Sequence, residues 1–352
     1  MSTVACLETA ELLGIYRKVR RQENFLSGVL ATGQINSEKE RIEFDFEELD
    51  YGMAPYVKPC DEGLATIGTG WQTKWFRPGY VKMKDPINVC DNCPSWYAGE
   101  RPYSSLSMQQ KFLLHRAQIL RRHSQMIQNR LEWTVAKLAV NGSYAMAYQG
   151  SSGEEIQRFN MSYGRDASLD YAPAVTWENA LATPMSDLED MINLAGEVSQ
   201  GTPAVAILGR DVYRSMVKHE DVNDSNNATA RVNANTFELS TPSFKAQGGA
   251  RRHGGFNGID YWTYTGQYRN ASGVLTHYVP ANKMMIICRP ENVPVMTKFY
   301  GAIKDLASLR AVDTFQKEWI EQDPSALQIL TQSAPLVGML NPHSILTATV
   351  LP

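Results

Sequence analysis

The stretch 106–140 constrains the chain more than any other. It contains neither proline nor glycine, and the pairs Phe112/Leu113, Ile119/Leu120, Met126/Ile127 and Trp133/Thr134 recur every seven residues. The pattern predicts one amphipathic helix, about 50 Å long at 1.5 Å per residue, against the usual three or four turns. A helix of that length serves as the spine of a subunit or as part of a coiled coil. It carries Lys111, Arg116, Arg121, Arg122, Arg130 and Lys137 against Glu132 alone, in a chain whose net charge is -3. Local basicity is therefore balanced elsewhere, and overall charge excludes a histone-like binder that holds nucleic acid through net positive charge. A solvated helix face accounts for the charge run. A wall facing nucleic acid is the sharper alternative, although no aromatic-interleaved groove accompanies the charges.

The segments before the spine do not read as a compact domain. A short helical pattern at 9–21 (Leu12, Leu13, Tyr16, Val19) leads into 24–34, which Gly28 and Gly33 interrupt, so this part reads as an arm. Across 38–50 there are seven acidic residues against Lys39 and Arg41, and Ile42, Phe44 and Phe46 alternate with Glu43, Asp45 and Glu47. That alternation predicts a strand with one apolar and one anionic face, the latter a solvated surface before it is an acidic binding patch. Strand-like pieces at 63–67 and 73–84, with Gly68 and Gly70 between them, predict a long hairpin, and Pro78-Gly79 marks a turn or kink in the returning strand. A two-stranded hairpin is marginal alone, so its aromatics call for a neighbour.

After the spine, Asn141-Gly142 reads as a left-handed helix cap, and 144–148 with 156–161 as a second hairpin. From Met185 the pattern becomes α/β: helix 187–198, strand 204–208, helix 210–218, a polar Asn-rich run at 221–235, and a glycine-rich loop at 248–258 bearing Arg251, Arg252 and His253. Strands follow at 259–264, 284–288, 296–303, 327–332 and 345–350. The chain is 352 residues long, enough for two or three domains. Its longest apolar runs fall far short of the roughly 20 residues that span a bilayer. No secretory leader is recognised, and the five cysteines suit a reducing compartment, so a cytoplasmic place of assembly is expected.

No motif brings catalytic groups together. Cys90 and Cys93 form a CxxC with Cys60 in the same region, but a structural zinc site wants four ligands, and His115 and His123 lie on the spine. Free thiols are the simpler reading; a zinc- or thiol-dependent enzyme centred on these cysteines is the rival from another class. The chain has no phosphate-cradling loop, no HExxH and no GxSxG, and its six histidines are scattered. A non-enzyme with no cofactor and no metal is expected.

Five segments, in order along nearly the whole chain, carry a resemblance: Thr9-Ala10-Glu11-Leu12-Leu13, Ala54-Pro55-Tyr56-Val57-Lys58-Pro59, Phe76-Arg77-Pro78-Gly79-Tyr80-Val81-Lys82, Tyr264-Thr265-Gly266-Gln267-Tyr268 and Gln332-Ser333-Ala334-Pro335-Leu336. Together they resemble the major capsid proteins of lambda-type tailed phages, the phage capsid protein E family, with the Hong Kong 97-like fold. Cys90, Cys93 and the aromatic run 71–76 depart from the pattern. The resemblance implies an α+β subunit with an N-terminal arm (1–50), an extended E-loop (51–95), a peripheral domain (96–185) on the spine helix 106–140, an axial domain (186–290), a return to the peripheral domain (291–338) and a C-terminal strand in the axial domain (339–352). It implies self-assembly into hexamers and pentamers of an icosahedral procapsid that matures around double-stranded DNA in the host bacterial cytoplasm. Scaffolding protein, portal and a decoration protein are the implied partners, with no membrane. No charged helical pre-region precedes the arm, so a separately encoded scaffold is expected. An encapsulin-like compartment is the same-fold alternative. On this reading Trp71, Trp75, Phe76, Pro78, Gly79 and Tyr80 are assembly contacts covered by a neighbour. Arg116, Arg121 and Arg122 face the lumen and DNA, or bind acids such as Glu43, Asp45 and Glu47.

Overall fold

The computed structural model describes residues 24–47, 71–88, 108–149, 154–219, 222, 249–256, 258–270, 272–289, 294–307, 310–323 and 325–352. Before the spine come a one-turn helix α1 (Phe25–Val29) and strands β1 (Ala31–Asn36), β2 (Ile42–Glu47), β3 (Trp71–Phe76) and β4 (Val81–Asn88). The spine itself is α2 (Met108–Asn141), a single uninterrupted helix as the heptad pattern requires. It ends where Gly142 turns left-handed at φ 65°, and the Gly142 amide donates to the Leu138 carbonyl at 2.8 Å. The Arg165 guanidinium then donates to the carbonyls of Ala139 (3.1 Å) and Val140 (3.2 Å). It thereby supplies the positive charge that the helix's own last turn lacks.

Beyond the spine, the hairpin β5 (Ser143–Gln149) and β6 (Glu155–Ser162) leads through the short β7 (Asp170–Tyr171) to α3 (Pro184–Ser199), β8 (Thr202–Leu208) and α4 (Val212–Met216). Then follow β9 (Ala250–Phe256), β10 (Ile259–Tyr264), the small hairpin β11 (Gln267–Arg269) and β12 (Leu275–His277), and β13 (Lys283–Arg289). The chain closes with β14 (Met296–Tyr300), β15 (Phe315–Glu321), β16 (Ala326–Ser333), β17 (Pro335–Met339) and β18 (Ile345–Thr349).

Three sheets organise these elements. A six-stranded sheet runs β7-β18-β13-β8-β10-β9, and strand alternation divides its two faces. Val205, Ile207, Met285, Ile287 and Trp262 point into the core shared with the spine residues Leu131, Val135 and Leu138. Ala206, Leu208, Met284 and Ile286 point the other way, onto Leu188 and Met191 of α3. A second sheet, β1-β14-β17, pairs β1 in parallel with a strand more than 250 positions along the chain. The third, β15-β16-β4, lies beneath the first half of the spine.

The structure corrects several expectations. The single strand expected at 73–84 is two strands with different partners: β3 pairs with β2, and β4 pairs with β16 across its whole length. The break falls at Pro78-Gly79, where the Gly79 amide donates to the Pro335 carbonyl at 3.2 Å and the Met146 sulfur leaves no room for a Cβ. The glycine-rich 248–258 is no loop, since β9 runs antiparallel to β10 as the edge of the six-stranded sheet. The helix expected at 210–218 covers only Val212–Met216. The helical pattern at 9–21, the strand at 63–67, the Asn-rich run at 221–235 apart from Val222, and Cys60, Cys90 and Cys93 lie outside the described residues.

Candidate functional site

The β2–β3 ribbon is the element on which the aromatic assembly contacts were expected. Its register sets Ile42 opposite Phe76 and Phe44 opposite Lys74 on one face, and Glu43 opposite Trp75 on the other. The first face is docked on the molecule's own core. Phe44 packs edge-on against Phe299 at 5.0 Å between centroids, and its ring occupies the space that a side chain at Gly338 would need. Phe76 lies 4.7 Å from the Tyr163 ring. On the second face Trp75 is 54% exposed, and the Arg41 guanidinium sits over its ring at 4.1 Å.

The expected set therefore divides. Trp75 presents its indole to solvent. Trp71 belongs to the same strand, paired with Glu47. Phe76 and Tyr80 are half-buried against their own chain. Tyr80 packs with Ile303, Phe315 and Ala334, and its hydroxyl bonds Gln332. Pro78 abuts Gly301, and Gly79 serves the backbone break.

The basic residues of the spine divide in the same way. Arg116 is buried, with its guanidinium 3.4 Å from the fully buried Glu318 carboxylate on β15. Arg122 is exposed but bonds Asp85 on β4 within the chain, in place of an acid on a neighbour. Arg121 is exposed as well.

Two clusters escaped the sequence reading. In the first, the buried His123 ring bridges Thr331 Oγ1 of β16 (2.8 Å at Nδ1) and Asp85 Oδ2 of β4 (2.9 Å at Nε2). Burial pulls His123 below the usual imidazole range, against the pull of Asp85. Burial pushes Asp85 up, but Arg122 and His123 outweigh it and hold the carboxyl below its ordinary value. In sequence these three residues carry only the spacing of a strand, a helix and a strand. The arrangement can lock β4 to the spine; Thr331 is fully buried and has no access to a substrate.

The second cluster centres on Glu132, the lone acid of the spine. Its side chain is fully buried and accepts from the Leu26 amide (2.8 Å), the Ser27 amide (2.9 Å) and the Tyr264 hydroxyl (2.8 Å). It thereby joins α1, α2 and β10. Burial pushes its pKa above the ordinary carboxylate range although all these bonds oppose the shift. The sequence did hold a signal: one acid among six basic residues, beside Leu131 and Val135 on the apolar side of the helix.

A groove of about 560 Å³ runs beside the end of the spine, lined by Trp133, Lys137, Asn141, Tyr144 and Asn160. Exposed Arg130 stands over Trp133 at 5.4 Å. Among the described residues no three His, Cys, Asp or Glu side chains gather where they could hold a metal.

A spine helix carrying sheets built from segments distant in sequence, with an aromatic ribbon left open, defines a structural subunit of the capsid class. A family model of the phage major capsid protein E matches residues 8–350, and the chain belongs to that family. It is 22% identical over 355 residues to the P21 prophage-derived major head protein of Escherichia coli O6:H1 strain CFT073, covering 97% of this chain and 98% of that one. The major capsid protein of Enterobacteria phage P21 matches equally. In fold it resembles a crystal structure described as the capsid protein of an E. coli CFT073 prophage, with TM-score 0.71, 17% identity and coverage of 99% and 100% of the two chains. The capsid of Ralstonia phage GP4 follows at TM-score 0.52 and 9% identity, covering 100% and 95%. The α+β fold is thus that of phage capsid proteins, and the family is structural rather than enzymatic.

Proposed function

We propose that the chain is the head subunit that builds a closed icosahedral shell of hexamers and pentamers around packaged double-stranded DNA. The observation that carries this is the ribbon face bearing Trp75. Its opposite face is docked on the core, yet more than half of the indole is left in water beside the exposed Glu43. Burying such a ring contributes about 25 cal/mol per Å² before ordering costs, and a closed lattice repeats the gain at every contact. Individually weak contacts therefore suffice. The groove beside Trp133 and Lys137 offers two aromatic rings and a cation to such a contact.

The other roles follow from the same reading. The segments before the spine reach neighbouring subunits, the six-stranded sheet forms the axial lobe at capsomer centres, and 291–338 returns to the peripheral part. Arg121 and Arg130 are the exposed spine cations that meet the DNA side or an acidic neighbour. Scaffolding protein, portal and a decoration protein are the partners of assembly in the host bacterial cytoplasm. Membership in a phage capsid family favours this reading over an encapsulin-like compartment.

The test is Trp75→Glu, which leaves the docked face of the ribbon intact. The subunit is expected to fold, with unchanged circular dichroism and thermal midpoint, and to yield no shells by electron microscopy or sedimentation. Normal particles from this variant would remove the assembly role of the ribbon.

A further inference from the structure

Glu132 is a buried carboxylate without a cation. Among the described residues no Lys, Arg or His forms an ion pair with it. The groups around it can be named element by element. From α1 it meets the Leu26 and Ser27 amides, with the Ser27 side chain facing it too; Asn24 and Ser27 carry no charge. From β10 it meets the Tyr264 hydroxyl, behind which the Tyr278 ring stacks at 6.1 Å. The strands β17 and β18 that pack along the spine contain no titratable residue. Arg130, two positions away, is exposed and stands over Trp133.

An ionised carboxylate held this way has three donors but has lost its hydration, a cost of several kcal/mol for a buried ion. The neutral acid escapes that cost. It also keeps its contacts, because a phenol can accept as well as donate: the carboxyl proton passes to the Tyr264 oxygen while the two amides remain on acceptor lone pairs. The 24–30 segment is otherwise held by the Asn24 side-chain amide on the Gln128 carbonyl at 2.9 Å, by the Met296 amide on the Leu30 carbonyl at 3.0 Å, and by apolar burial of Phe25, Leu26, Val29 and Leu30, with Phe25 at 5.2 Å from Trp262 and 5.4 Å from Tyr264.

We propose that Glu132 is a proton-sensitive joint: it holds the 24–30 segment most tightly between the spine and the six-stranded sheet when its carboxyl is neutral, and loosens that grip as it ionises. The raised pKa fixes the sign. A group that takes up its proton more readily when buried stabilises the closed joint fully below its solution value, and the gain is lost as pH rises through the held value. The joint is a property of the single subunit and is independent of the shell reading.

The experiment is hydrogen–deuterium exchange of the full chain from pH 4.5 to 9, read on peptides covering 24–31 and corrected for intrinsic rates. Wild-type protection is expected to fall with rising pH, by up to about tenfold per pH unit between the solution and held values of the carboxyl. Glu132→Gln, permanently neutral, should give a flat profile. Tyr264→Phe keeps the ring packing but removes the partner that the carboxyl uses in either protonation state, so its fall should be displaced along the pH axis from that of wild type. The second variant decides the matter even where Glu132→Gln fails to fold. Wild-type protection that is independent of pH, or a Tyr264→Phe profile that superimposes on wild type, would overturn the joint.

Discussion

The two halves of the spine helix are packed by different physics. Its first half meets the β15-β16-β4 sheet through Arg116–Glu318, the His123 bridge to Asp85 and Thr331, and only a small apolar cluster of Ile87, Ile119, Leu120, Leu327 and Ile329. Its second half, from Ile127 to Val140, packs on the large common core, with the Glu132 carboxyl buried there while Arg130 stays exposed. Apolar packing is non-directional and tolerates adjustment while volume is kept, whereas buried ion pairs and hydrogen bonds demand one register. The half next to β4, the root strand of the aromatic ribbon, is thus fixed by directional bonds, and the half next to the six-stranded sheet by area.

Removing one partner of the buried pair should have the largest effect. Glu318→Ala strands the Arg116 charge and should cost about 3–5 kcal/mol in urea unfolding of the subunit. The double variant Arg116→Met/Glu318→Leu should recover most of that loss. A double variant as unstable as the single one would show that the pair is needed for more than charge balance. In the second half, Leu138→Ala should cost about 2–5 kcal/mol through the cavity it leaves, with little dependence on salt or pH.

A pH titration separates the halves more finely. Because burial lowers the His123 pKa, its contribution is fully present above the unfolded value near 6.5 and is lost as pH falls through the folded value. Asp85, also lowered, gives stability above its ordinary 3.8 that disappears in a more acid window. His123→Gln should flatten the upper of these two slopes in thermal melts across pH 4–8; an unchanged slope would remove His123 from the account. Least affected should be Arg121→Gln, within about 0.5 kcal/mol of wild type, because the side chain is exposed.

Much of this was legible in local pattern. The heptad pairs predicted α2 to within two residues at its start and one at its end. Alternation of Ile42 and Phe44 with charged neighbours gave β2 its buried face, and the five ordered motifs named the family that the 8–350 match bears out. The site residues were less legible. Phe76 and Trp75 are adjacent aromatics of one strand, yet one is spent on Tyr163 and the other is left in water, because alternation separates them and only docking of the ribbon decides which face is covered. Arg116 and Arg121 look alike in sequence; Glu318, some 200 positions away, makes one of them a core residue.

The sequence by itself thus determined the elements whose signals lie within a few residues: the uninterrupted spine, the alternating strands, and the punctuation at Pro78-Gly79 and Asn141-Gly142. Tertiary structure alone decided the partners. It set β3 on β2 and β4 on β16, gave the edge of the six-stranded sheet to a glycine-rich strand, and buried Glu132 against the Leu26 and Ser27 amides. The physical reason is range. Helix and strand periodicities are contracts between neighbours, whereas pairing and burial are settled among segments from about ten to more than two hundred residues apart, where many partners satisfy the same local pattern and only the assembled core selects one.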